Sequence, residues 1–190
     1  MKLSQRFSEA LQYAADLHQN QTRKGSPTPY LAHLLAVTAL VLEDGGDEDQ
    51  AIAALLHDAV EDQGGIQTLE EIRSKFGKRV AEIVEGCTDS YTTPKPPWRE
   101  RKEGYIEHLR HAPEEIWRVS LADKLHNARS IRDDLWRYGP KVWARFNGGK
   151  DGTLWYYTTL VQVFQAQDKS QMVAELSRVV ADLVTLAGGS

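Results

Sequence analysis

The 190-residue sequence predicts an all-α fold. Two observations carry that expectation. Apolar residues recur at helical spacing along most of the chain, and no segment sustains the period-two alternation of a half-buried strand. Glycine and proline clusters punctuate the helical stretches, and no repeat or low-complexity tract interrupts them. Hydrophobic residues make up 41% and charged residues 26% of the chain, which is ordinary for a globular protein. A single compact helical domain over residues 1–190 is the expected organisation, because this length buries a sizeable core and no linker stands out.

The elements follow in order. Residues 3–19 place Phe7, Leu11, Ala14 and Leu17 on one helical face. Residues 20–29, with Arg23, Lys24, Gly25, Pro27 and Pro29, form a loop. Residues 30–42 read as a nearly all-apolar helix that ends at Gly45-Gly46. Asp47, with Gln50 three residues on, begins a helix expected to run to about Asp62 and to stop at Gly64-Gly65. Shorter helices are expected over residues 69–76 and 78–87. A proline-rich loop covers 88–97, and helices cover 98–110 and 113–132. Gly139-Pro140 and Asn147-Gly148-Gly149 break the chain before two last helices, 152–166 and 171–187.

Composition narrows the function classes. A net charge of −4 argues against a general nucleic-acid binder, because phosphate contacts need a clustered basic excess. Small anionic ligands need only a local basic pocket and stay open. Cys87 is the only cysteine, so an internal disulfide and a thiolate zinc site are excluded. The first residues lack a long apolar run, and no apolar stretch is long enough to span a bilayer. The cytoplasm is the expected compartment, and a homo-oligomer is left open.

The most informative segment is Ala51-Ile-Ala-Ala-Leu-Leu-His57-Asp58-Ala-Val-Glu61-Asp62. Six apolar residues mark a buried helix, and four ionisable groups then follow within six residues. His57 and Glu61 are four apart, as are Asp58 and Asp62, so each pair is expected along one side of a helix. Three carboxylates near a helix C-terminus oppose its macrodipole and call for a cation. The competing reading is a solvated polar helix end. His33 is the lone strongly polar residue in Tyr30-Leu-Ala-His-Leu-Leu-Ala-Val, and by itself a satisfied core histidine is the simpler account. Asp123 sits among apolar residues in Val119-Ser-Leu-Ala-Asp123-Lys-Leu-His-Asn127-Ala-Arg. A buried carboxylate needs a partner, and Lys124 or an arginine would serve as well as a metal. Together His33, His57, Asp58 and Asp123 supply two imidazoles and two carboxylates, a set suited to Mn²⁺, Fe²⁺ or another octahedral cation. Glu61 and Asp62, one turn on, would then sit where a water or leaving group exchanges a proton.

The ordered segments Thr22-Arg-Lys-Gly25, Pro29-Tyr-Leu-Ala-His33, His57-Asp-Ala-Val-Glu-Asp62 and Leu121-Ala-Asp-Lys-Leu-His-Asn-Ala-Arg129 resemble the HD superfamily of metal phosphohydrolases. They are most similar to the hydrolase domain of the RelA/SpoT type and its stand-alone form, the small alarmone hydrolases. The resemblance implies a compact HD helical bundle that uses Mn²⁺, or another divalent metal, to remove pyrophosphate from the 3′ position of a guanosine polyphosphate. It implies His33, His57, Asp58 and Asp123 as metal ligands and Glu61 and Asp62 as the residues that assist the attacking water. Arg23 and Lys24 would lie at the base, and Asn127 and Tyr156 at the ribose or phosphates. Lys95, Arg99, Arg101, Lys102 and Lys150 are basic candidates for the remaining phosphates. Three features depart from the family pattern: Leu34 follows His33 where proline is frequent, the loop Gly25-Ser-Pro-Thr-Pro29 is longer, and residues 147–157 differ from the long bifunctional enzymes. They keep an adenosine polyphosphate open as substrate. The chain is too short to carry a synthetase domain as well. An HD-type nucleotidase or phosphodiesterase, and a non-catalytic nucleotide sensor, are the other functional readings.

Overall fold

A computed structural model describes residues 2–90 and 94–188. It is all-α among the described residues, apart from an isolated bridge between Thr22 and Pro29. Backbone contacts group the chain into two compact units. One comprises Met1–Pro96 and Ala112–Ala122, the other Pro97–His111 and Asp123–Ser190.

The first unit is built around α3 (Glu48–Leu56), in which every residue from Gln50 to Leu56 is buried. Helices α1 (Gln5–Leu17), α2 (Leu31–Glu43) and α6 (Lys78–Cys87) pack against it, and α5 (Ile66–Phe76) packs on α6 and on the short α4 (Ala59–Gln63). Fully burying a Leu or Ile side chain contributes roughly 1.5–3 kcal/mol, so Ile52, Leu55 and Leu56 anchor this helix. The start of α3 is fixed by a reciprocal cap. Asp47 Oδ1 accepts from the Gln50 amide at 3.0 Å, and Gln50 Oε1 accepts from the Asp47 amide at 2.9 Å. Gly45, at φ +85°, supplies the left-handed turn after α2. Gly86 lets α6 approach α8 (Glu114–Tyr138) closely, since a Cβ there would lie 2.4 Å from Ile116 Cδ1.

The second unit packs α9 (Gly149–Gln167) against α7 (Trp98–His111) and α10 (Gln171–Gly188), and the part of α8 that belongs to it buries Leu125, Ala128 and Ile131. Gly148 and Gly152 make room for the Trp98 ring: a Cβ on Gly148 would meet it at 2.6 Å and one on Gly152 at 3.1 Å.

Most expected elements are present with shifted ends. Helix α8 extends to Tyr138 rather than Arg132, and a 3₁₀ helix, Gly139–Arg145, follows where a plain break was expected. The single helix expected over 47–62 is instead two, because the helical pattern breaks at His57-Asp58. The His57 ring Nδ1 lies 2.8 Å from the Ala54 carbonyl, which takes up an acceptor that would otherwise serve the helical ladder. Residues 91–93 of the expected loop 88–97 lie outside the described residues.

Candidate metal centre

Two local structures bring the first unit's ligand groups together. The apolar helix α2 buries His33 in its first turn, and the break between α3 and α4 presents His57 and Asp58 side by side. One ligand-capable atom from each of these three residues lies within 4.8 Å of the others. Asp58 Oδ2 is 3.0 Å from His57 Nε2 and 3.5 Å from His33 Nε2, and the two imidazole rings meet edge to face at 5.2 Å. The Ala54 carbonyl can only accept, so His57 carries a proton on Nδ1 and turns the lone pair of neutral imidazole, on Nε2, toward Asp58 and His33. Two imidazole nitrogens and a carboxylate oxygen converging in this way fit a divalent cation.

The structure adds a residue that the sequence did not single out. The Tyr30 hydroxyl donates to Asp58 Oδ2 at 2.6 Å, its ring sits edge-on to His33 at 5.4 Å, and it stacks on His18 at 5.4 Å. The available signal was its place three residues before His33, in Pro29-Tyr-Leu-Ala-His33.

Glu61 and Asp62 follow on α4. Lys95 donates to Glu61 Oε1 at 2.7 Å. Burial raises the Glu61 carboxyl above the usual range, and the charges of Asp89 and Asp58 add to this, against the opposing pull of Lys95. The Asp62 carboxyl is also raised, first by desolvation and then by the charge of Asp58, while its Oδ2 accepts from Gln21 at 2.8 Å. Carboxyl groups raised in this way are better suited to exchanging a proton than ordinary surface carboxylates. Lys95 therefore meets a carboxylate of the site rather than standing clear in solvent.

Other expected residues take varied places. In the loop before α2, Arg23 lies over the Tyr30 ring at 5.6 Å and Lys24 is exposed. This loop is pinned by hydrogen bonds from Arg23 N to Thr28 O and from Tyr30 N to Gln21 O, both 2.9 Å. In the second unit Asp123 is buried on α8, paired with Lys124 and accepting from Asn127 Nδ2. Burial works against the Lys124 charge, but Asp123 together with Tyr156 and Tyr105 outweighs it and holds the ammonium well above its usual value. Tyr156 is buried on α9, with Lys102 Nζ 5.1 Å from its ring centroid and no hydrogen-bond partner for its hydroxyl among the described residues. Lys150 donates to the Ala187 carbonyl at 2.6 Å, so its ammonium fastens the end of α10. Arg99 covers the Trp155 ring and pairs with Glu103, and Arg101 is half-buried on α7. A groove of about 610 Å³ in the same unit, lined by residues that include Arg132, Trp136 and Asp182, contains none of the expected site residues.

The HD domain profile matches residues 10–154, a span that holds the whole cluster. The chain belongs to the HD-domain family. Within that family it is similar to proteins of the RelA/SpoT type. A Xenopus tropicalis protein named guanosine-3′,5′-bis(diphosphate) 3′-pyrophosphohydrolase MESH1 is 44% identical over 139 residues, which cover 72% of this chain and 73% of the relative. The bifunctional (p)ppGpp synthase/hydrolase SpoT of Escherichia coli K12 is 35% identical over 132 residues, 66% of this chain but 18% of SpoT. A solved structure described as a metazoan ortholog of SpoT that hydrolyzes ppGpp superimposes with a TM-score of 0.79 at 29% identity, covering 95% of this chain and 97% of that one. The helical HD fold expected from the sequence is therefore the fold of this chain and of its solved relative.

Proposed function

We propose that this HD-family chain is a metal-dependent hydrolase that removes pyrophosphate from the 3′ position of a guanosine polyphosphate of the ppGpp class. The observation that carries the reading is the convergence of His33, His57 and Asp58, with two carboxyls raised by burial, Glu61 and Asp62, on the next helix. The names of the Xenopus and E. coli relatives support the substrate class.

His33, His57 and Asp58 would hold the cation, with Asp123 as the fourth ligand on the family pattern, and Mn²⁺ is the metal we assign. When bound, such a cation supplies Lewis acidity toward a phosphoryl oxygen and lowers the pKa of water. Asp62, through its carboxylate, takes the proton of the attacking water, and Glu61, steadied by Lys95, passes a proton to the leaving ribose oxygen. Arg23 and Lys24 line the base side, and Asn127, Tyr156 and Lys150 belong to the ribose and phosphates. The chain works as one HD domain over 1–190 on a small-molecule nucleotide in the cytoplasm, with no nucleic-acid or membrane partner. No helix among the described residues is long and apolar enough to cross a membrane.

The test is to incubate the Mn²⁺-loaded protein with guanosine and adenosine 3′-pyrophosphates and identify the products by mass. Release of pyrophosphate with a 3′-hydroxyl nucleotide is the expected result, and the ratio of the two rates assigns the base. Release of orthophosphate alone, or cleavage at the 5′ side only, would replace this reading with a nucleotidase or phosphodiesterase. Binding without turnover would make the protein a sensor.

A further inference from the structure

Gln21, in the loop ahead of α2, makes three side-chain contacts that join separate elements of the first unit. Its Nε2 donates to Asp62 Oδ2 at 2.8 Å, and its Oε1 accepts from Gln63 Nε2 at 2.6 Å. The same Oε1 lies 2.6 Å from His18 Nδ1. Its backbone is held as well, with the carbonyl accepting from Tyr30 N at 2.9 Å and the amide donating to His18 O at 3.0 Å.

The polarity of this chain follows from chemistry. An ionised Asp62 can only accept, so it takes the NH₂ end of the Gln21 amide. The carbonyl end is then committed to Gln63 and His18, and both must donate to it. His18 must therefore carry its proton on Nδ1. The other ring nitrogen, Nε2, is buried without a hydrogen-bond partner among the described residues. One amide thus fixes the rotamer of Asp62 and the tautomer of His18 together. With Oδ2 occupied by Gln21, Oδ1 is the oxygen of Asp62 that takes no hydrogen bond among the described residues.

We propose that Gln21 is a positioning residue that holds Asp62 by Oδ2, so that Oδ1 is the oxygen that meets the reacting water, with His18 and Gln63 bracing the amide from behind. This inference rests on the hydrolase reading for its kinetic consequence and on geometry alone for its structural one.

The test has two arms. In the first, ¹⁵N-edited NMR of the Mg²⁺-loaded protein reads the His18 tautomer. The expected result is an Nδ1–H ring in the wild type, which loses that preference in Gln21→Met. An Nε2–H ring in the wild type overturns the relay whether or not the protein hydrolyses anything. In the second arm, Gln21→Met keeps length and removes all three side-chain hydrogen bonds. Its kcat is expected to fall on the order of 10-fold or more, the scale of lost supporting contacts around a metal site, with KM within about twofold and metal content unchanged. His18→Asn presents an amide donor near the Nδ1 position and should retain most of the rate, while His18→Phe should fall like Gln21→Met. The double variant His18→Phe/Gln21→Met should fall no further than either single one, since both break the same chain. A wild-type kcat in Gln21→Met, a loss of bound metal, or a fully additive double variant would overturn the proposal. Gln21→Glu, which sets a second carboxylate against Asp62, is the alternative variant if the methionine one does not fold, with the same reading of kcat against metal content. If the wild type shows no 3′-pyrophosphate hydrolysis, the functional reading fails, and the tautomer arm still decides the relay.

Discussion

Removing a single hydroxyl, with Tyr30→Phe, should weaken metal binding without disturbing the fold. In the wild type that hydroxyl donates to Asp58 Oδ2 at 2.6 Å, and Asp58 is the carboxylate closest to both imidazoles. A hydrogen bond to a charged group contributes about 1.5–3 kcal/mol net. Tyr30 is only half-buried, so water can replace part of it and the lower end applies, about 10-fold in metal affinity. Linkage makes the effect visible in melting curves. Metal at 100 times Kd stabilises the folded state by about 2.7 kcal/mol. The variant at the same metal concentration, now about 10 times its Kd, gains about 1.4 kcal/mol. At roughly 2–4 °C per kcal/mol for a chain of this size, the metal-dependent gain in Tm should halve from about 5–11 °C. Competition with a chromophoric chelator gives Kd directly, and metal-free melts show how far the substitution acts apart from metal. A Kd within twofold of the wild type would refute the reasoning and return Tyr30 to a packing role.

Glu61→Gln and Asp62→Asn should each keep metal content and substrate binding but lose on the order of 10²-fold in kcat, measured on the same preparation as the metal assay. Loss of metal with loss of rate would make them ligands instead. Asp47→Ala removes the cap of α3 and should lower stability by about 1 kcal/mol in urea unfolding at pH 7. Desolvation pushes the Asp47 carboxyl up, but the Gln50 amide and Arg79 outweigh it and hold it below its usual value. Its contribution is therefore present above the unfolded pKa and fades as pH falls through the lowered folded one, so the wild-type advantage should shrink below about pH 4. Gly86→Ala should destabilise by roughly 1–3 kcal/mol, because the new Cβ would lie 2.4–2.9 Å from Ile116, and adding Ile116→Ala should recover part of the loss in the same denaturant titration.

The sequence made the helical class, the HD pair and the start of α3 readable because each depends on local pattern: apolar spacing, an adjacent His-Asp pair and an Asp–Gln capping signature. Lys78–Cys87 matches α6 end for end because Gly77, at φ +93°, stops one helix and starts the next. The break after Leu56 was not readable, since periodicity does not register that the His57 ring engages the Ala54 carbonyl. Tyr30 looked like an aromatic at a helix start, and Gln21 like a polar loop residue, because their partners Asp58 and Asp62 lie 28 and 41 residues away. The contact of Lys150 with the Ala187 carbonyl was not readable either, because it is set by how α9 and α10 pack. Asp123 is buried beside Lys124, which is the ion pair that its sequence context offered as one of two accounts.

The turn at His57-Asp58 also bears on how tolerant the site is to changes in chain length. Two of the proposed ligand groups and the carbonyl that orients one of them lie within the five residues from Ala54 to Asp58. A single insertion or deletion inside that stretch would rotate the His57 ring off its carbonyl and separate it from Asp58. The loop over 20–29 is different, because the Thr22–Pro29 bridge closes it at its base and only its tip, around Gly25 and Pro27, would change if it grew or shrank. On the proposed reading the metal ligands sit in a length-intolerant turn, whereas Arg23 and Lys24 ride on a hairpin-like loop closed at its base. With Arg23 and Lys24 at the base as proposed, a change in loop length would alter substrate preference and leave the His57-Asp58 turn as it is.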